Sequence, residues 1–190
     1  MLNNLFIPII RKRSETVVAR VMPYLKKLSK VVDIGSGSGD VASLLQAQGI
    51  KITPVDVADF HGPRMIKPVI YDGKTLPFED NAFDTALLLM VMHHTPDPAI
   101  VFKEAARVAK EVVVIETSYT TPLNRFFTIV SDAIGNLRLE AFWDSYKTDK
   151  GWKQFFNDHG YKIVATHKYW DKNLGVVPFL HILYHLKRGK

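Results

Sequence analysis

Four residues at alternate positions, Asp33, Gly35, Gly37 and Gly39, make up the stretch of this chain best suited to holding a ligand. They close the run Val31-Val32-Asp33-Ile34-Gly35-Ser36-Gly37-Ser38-Gly39-Asp40, in which β-branched residues lead into an acid and then a glycine-rich loop. That composition ends a buried strand in a turn that tolerates positive φ and lets a ligand approach the backbone. A helix begins with Val41-Ala42-Ser43-Leu44-Leu45, and its start offers unpaired N–H groups to the loop. A nucleotide-like cofactor suits this arrangement. Gly37-Ser38-Gly39-Asp40-Val41-Ala42 satisfies the loose G-x-G-x-x-[GA] form of dinucleotide sites, yet Asp33 stands two residues ahead of the first glycine. Its carboxylate would repel a pyrophosphate and attract an ammonium or sulfonium.

Further motifs follow in order. Lys51-Ile52-Thr53-Pro54-Val55-Asp56 reads as a second strand ending in an acid, which can accept both hydroxyls of a ribose. Tyr71-Asp72-Gly73-Lys74-Thr75-Leu76-Pro77-Phe78-Glu79-Asp80-Asn81-Ala82-Phe83-Asp84 leads into the strand Thr85–Met90, and Val91-Met92-His93-His94-Thr95-Pro96-Asp97-Pro98 follows it. Lys103-Glu104-Ala105-Ala106-Arg107-Val108 closes the next helix. Over residues 28–117 these segments resemble the class I S-adenosylmethionine-dependent methyltransferases, in their small-molecule "type 11" branch. The resemblance implies a three-layer Rossmann-like α/β sandwich with a mostly parallel seven-stranded sheet and an antiparallel edge strand. It implies S-adenosylmethionine as cofactor, with Asp33, Gly35, Ser36, Gly37 and Gly39 around the methionine end and Asp56 and Val57 at the ribose. Asp72 and Gly73 would meet the adenine, with Met90 completing the pocket.

Methyl transfer from a sulfonium is an in-line displacement in which alignment does most of the work. A protonated nucleophile also needs a base. His93 and His94 suit that task because imidazole titrates near neutral pH, and Glu116 is the second choice. His93-His94-x-x-Asp97 superficially offers metal ligands, but adjacent histidines seldom close on one ion, so no metal is expected. The expected function is methyl transfer to a small lipophilic or aromatic acceptor. Rival readings are a cofactor-binding partner subunit without turnover, and an NAD(P)-dependent oxidoreductase, which Asp33 and the Leu76-Pro77-Phe78 block disfavour.

The elements that must position these groups read as helix 15–28, strand 31–35, helix 40–48, strand 51–55, strand 67–71, strand 84–90, helix 97–109 and strand 111–116. Strand–helix alternation indicates a parallel sheet, whose ligands bind beyond the carboxyl ends of its strands. Every motif above falls on such an end. Residues 117–150 depart from the common core. Residues 124–139 have helical spacing, and Tyr119, Trp143 and Tyr146 would line an aromatic lid over the acceptor. A helix over 151–159 and strands over 161–169 and 175–185 complete the chain.

At 190 residues and 47% apolar content the chain can bury the core of a single domain, residues 1–190. With no cysteine it has no disulfide framework or thiolate nucleophile. Its formal charge of +6 resides in residues 1–30, where seven Lys or Arg face only Glu15. Mixed with Leu2, Leu5, Phe6 and Ile7, these basic residues suggest a helix on the body or a peripheral membrane contact through residues 1–13. Pro8 is expected to interrupt a continuous amphipathic helix there. No basic stripe interleaved with aromatics points to nucleic acid. The apolar runs are short of a bilayer span, and a cytoplasmic protein, membrane-associated at most, is expected.

Overall fold

Strands and helices alternate in the computed structural model of the chain, which describes residues 3–63, 65–135, 143–173 and 177–189. The elements are α1 (Asn3–Val21), β1 (Lys30–Ile34), α2 (Asp40–Ala47), β2 (Lys51–Asp56), β3 (Val69–Ile70), β4 (Phe83–Leu89), α3 (Pro98–Val108), β5 (Ala109–Ser118), α4 (Pro122–Gly135), α5 (Asp149–Asp158), β6 (Tyr161–Asn173) and β7 (Val177–Arg188). Their strands form one mixed sheet in the order β3-β2-β1-β4-β5-β7-β6. β1 pairs in parallel with β2 and β4, β2 with β3, and β6 pairs antiparallel with β7. This is the Rossmann-like architecture that the motif order implies.

Two compact units make up the chain: Met1–Leu89 with Glu104–Val113, and Met90–Lys103 with Val114–Lys190. In the first, β1 is buried from Val31 onward, as a strand flanked by two others requires. Val17 and Val21 of α1 and Ala42 and Leu45 of α2 add to its core. Ile34 lies beside Val55 in the β1–β2 register, so the carboxyl ends of the two strands, with Asp33 and Asp56, finish together. In the second unit the core is aromatic. Phe156 packs its ring 5.4 Å from Phe102 and 5.1 Å from Tyr184, and Trp152 is fully buried beside it.

Several boundaries differ from the sequence reading for local reasons. The first helix is α1, which runs through Pro8 and stops at Val21. One missing N–H in an early turn costs a single hydrogen bond, whereas Pro23 disfavours helical backbone at Met22 and turns the chain into a 3-10 turn. β3 shrinks to two residues after Pro68. α4 begins at Pro122, since proline fits a first helical turn, and residues 136–139 of the expected helix lie outside the described residues. α5 starts two residues early because Thr148 caps it, its Oγ1 accepting from Gly151 N at 3.1 Å. No helix among the described residues is long and apolar enough to cross a membrane.

Candidate functional site

The first unit contains the residues expected to hold a cofactor except Met90, which belongs to the second. Gly35, Gly37 and Gly39 have φ of 76°, 53° and 80°, so the loop after β1 depends on left-handed backbone at each alternate position. At Gly39 packing adds to the demand, because a Cβ would come within 3.2 Å of Met65 Cβ. At Gly37 a Cβ would meet nothing within 4 Å, leaving the backbone open to a ligand. Gly35 N and Ser36 N both donate to Val55 O, which ties the loop to the end of β2. The hydroxyls of Ser36 and of Ser43 in α2 are buried and have no partner among the described residues. A buried hydroxyl without a partner is unfavourable in isolation and marks a place where a polar ligand fits.

Two carboxylates close this loop. Asp56 is buried and accepts from Gly37 N at 2.8 Å and from Val57 N at 2.7 Å. Asp33 is only 2% exposed, and burial, reinforced by the charge of Asp56, pushes its carboxyl up to about 7. Such a group is uncomfortable as an anion until a cation arrives. Val57, half exposed beside Asp56, is in contact range of the Gly73 backbone: a Cβ added at Gly73 would stand 3.3 Å from Val57 Cγ1. Asp72 lies at the surface in a turn, its Oδ1 accepting from Lys74 N and Thr75 N at 2.8 Å each. Those bonds, Thr75's foremost, hold its carboxyl below the usual range.

The structure also joins two motifs that the sequence shows only separately. Arg107 donates from Nη1 to Phe78 O at 2.7 Å and to Asp80 at 2.9 Å, and from Nη2 to Leu76 O at 3.0 Å. Glu104 holds the same guanidinium and accepts from Leu76 N at 2.7 Å. The Glu104-x-x-Arg107 pair therefore clamps the loop that follows Asp72 and Gly73. Its i, i+3 spacing on one helix face was the available signal.

In the second unit, β4 gives way to Met90, whose φ of 60° is rare for a side-chain-bearing residue, and its N–H donates to Ile115 O at 2.7 Å. The 3-10 turn Met92–His94 follows. Glu116 is fully buried in β5; its Oε1 accepts from Met92 N at 2.7 Å and Val91 N at 3.2 Å, and its Oε2 bonds His93 Nδ1. His93 is buried as well, its ring centroid 4.1 Å from that of His94 and 4.7 Å from that of Tyr146, each pair tilted by 46°. The sequence reading gave His93, His94 and Glu116 as candidate bases and Tyr146 to the lid; in the structure His93 contacts Glu116, His94 and Tyr146. Trp143 stands apart, 45% exposed, with Phe126 6.2 Å away, and Tyr119 lies beneath the Arg125 guanidinium at 5.4 Å. Arg125 had no place in the sequence reading, because a lone arginine on a helix gives no signal. Among the described residues no cluster of three or more His, Cys, Asp or Glu is arranged to hold a metal ion.

The family model described as "Methyltransferase domain" matches residues 9–166. An uncharacterized methyltransferase of Mycobacterium leprae is 34% identical over 104 residues, covering 50% of this chain and 39% of that protein. A demethylmenaquinone methyltransferase of Staphylococcus aureus is 31% identical over 112 residues, 51% of this chain and 46% of that protein. The matched stretch thus takes in less than half the length of these curated relatives. The crystal structure of a SAM-dependent methyltransferase from Methanosarcina mazei superposes with a TM-score of 0.69 at 18% identity, covering 89% of this chain and 96% of that one.

Proposed function

The chain belongs to the methyltransferase domain family, and we propose that it transfers a methyl group from S-adenosylmethionine to a small aromatic or lipophilic acceptor. The observation that carries this reading is Asp33, a buried carboxyl beside Asp56 at the mouth of a glycine loop. A dinucleotide would add negative charge there, whereas the ammonium of an amino-acid moiety supplies the charge that Asp33 lacks. The buried hydroxyls of Ser36 and Ser43 and the open backbone at Gly37 fit the same ligand. In this reading Gly35 and Gly39 shape the methionine cradle, Asp56 holds the ribose, and Val57, Asp72 and Gly73 serve the nucleoside.

When bound, S-adenosylmethionine supplies an electrophilic methyl carbon. The protein's part is to orient the acceptor and to take up its proton where it has one. Glu116, accepting from two backbone N–H groups, fixes the orientation of His93 through Nδ1. His93 is then the base, Glu116 its orienting partner, and His94, Tyr119, Trp143 and Tyr146 the acceptor's surroundings. The name of the menaquinone relative supports a ring-bearing acceptor.

Calorimetric titration with S-adenosylhomocysteine near pH 6, in two buffers of different ionisation enthalpy, tests the central observation. Binding should release a proton from Asp33, and Asp33→Asn should abolish that release. Proton-neutral binding by the native protein would contradict the role given to Asp33. For the base, His93→Gln should lower kcat on a phenolic acceptor by about 100-fold with cofactor affinity unchanged.

A further inference from the structure

The acceptor's own chemistry can be narrowed from a cavity of about 470 Å³ within the second unit, a size suited to a small organic molecule. Its lining includes three rings, Tyr119, Tyr146 and Phe155. Tyr146 is the ring that also packs against His93. Arg125 reaches across Tyr119, and its Nη2 donates to Trp143 O, but its Nε is buried with no partner among the described residues. Lys147 adds a second cation to the lining, its Nζ 3.2 Å from Asp144 O and 5.7 Å from the Trp152 ring centre.

Two acids also line the cavity, and neither answers the Arg125 Nε. Asp158 accepts from Gln154 Nε2 at 2.7 Å, and the Asp144 carboxylate is fully exposed to solvent, 3.7 Å from Arg125 Nη2. A guanidinium whose inner N–H lacks an acceptor is a donor waiting for an oxygen, and a charged oxygen makes the stronger bond. Ring walls select a flat apolar body for the rest of the ligand.

We propose that this cavity takes the acceptor as a planar aromatic acid, its ring against Tyr119, Tyr146 and Phe155 and its carboxylate on Arg125, with Lys147 adding attraction. The designation of this ligand as the acceptor rests on the methyl-transfer reading; the recognition chemistry belongs to the second unit alone.

The test is a titration of 2-naphthoate, 2-naphthamide and acetate into the native protein, with S-adenosylhomocysteine titrated in parallel. Naphthoate should bind about tenfold tighter than the neutral amide and far tighter than acetate, which lacks the ring. Arg125→Gln should erase the preference for acid over amide, and Lys147→Gln should reduce it. Both variants should keep native affinity for S-adenosylhomocysteine, which reports that they fold. Equal affinity for acid and amide, or a preference that survives Arg125→Gln, overturns the proposal. Naphthoate selectivity without any S-adenosylhomocysteine binding supports the cavity's chemistry and sinks the cofactor reading instead, so the two failures are distinct.

Discussion

Asp33 carries an internal conflict, a carboxyl buried beside a second acid. Burial pushes its carboxyl up to about 7, well above the value it has in an unfolded chain. Between about pH 4 and 7 the folded form therefore holds a proton that the unfolded form has lost. The contribution of Asp33 to the stability of the unliganded protein should fall as pH rises through that window and level off above it. Asp33→Asn should remove that contribution and stabilise the protein at pH 8 by on the order of 3 kcal/mol, while weakening S-adenosylhomocysteine at least tenfold. Thermal melts across pH check the first claim, and a variant that melts lower than the native protein at pH 8 would refute it. Asp33 could be singled out from its place before the glycines. The His93–Glu116 bond was not legible, although both residues were singled out. It depends on the course of the chain through Met90, and no residue type announces a methionine at positive φ.

Clamps and caps set the stability of individual elements. Arg107 makes bonds to Phe78 O, Leu76 O and Asp80 while Glu104 holds its other edge, so one side chain fixes a loop that has no regular structure of its own. Arg107→Gln should cost about 2 kcal/mol, the loss of several charge-assisted bonds at a partly exposed site. It should also raise the Kd for S-adenosylhomocysteine a few-fold by loosening Asp72 and Gly73. Urea denaturation and titration measure the two effects, and an unchanged urea midpoint would rule out the clamp. At the other end of this unit, α1 carries Arg11, Lys12 and Arg13 on a helix continuous from Asn3. We infer from this a contact with anionic lipid, for which deletion of residues 1–13 should lower vesicle binding at least tenfold. Full binding after the deletion would exclude it. Helix starts were the least legible feature: Gly151 masked the cap at Thr148, because the cap depends on the side-chain bond Thr148 makes rather than on apolar spacing.

Over the whole molecule, the order of motifs along the chain carried more information than any one of them. Asp33, Asp56, Asp72, His93 and Glu116 each follow or end a strand. This is why the mostly parallel seven-stranded sheet with an antiparallel edge could be expected from the sequence, whereas the arginine and lysine beside the aromatic cavity could not. They lie in the divergent stretch, on elements whose packing no motif encodes. The most direct measurement of the account is calorimetric titration of the native protein and Asp56→Ala with S-adenosylhomocysteine, with NADH as control. Asp56 is predicted to contribute roughly 2–3 kcal/mol through the ribose hydroxyls, a loss of about 30- to 150-fold in the variant, with no binding of NADH. Equal affinity in both proteins, absence of binding to the native one, or a preference for NADH would contradict it.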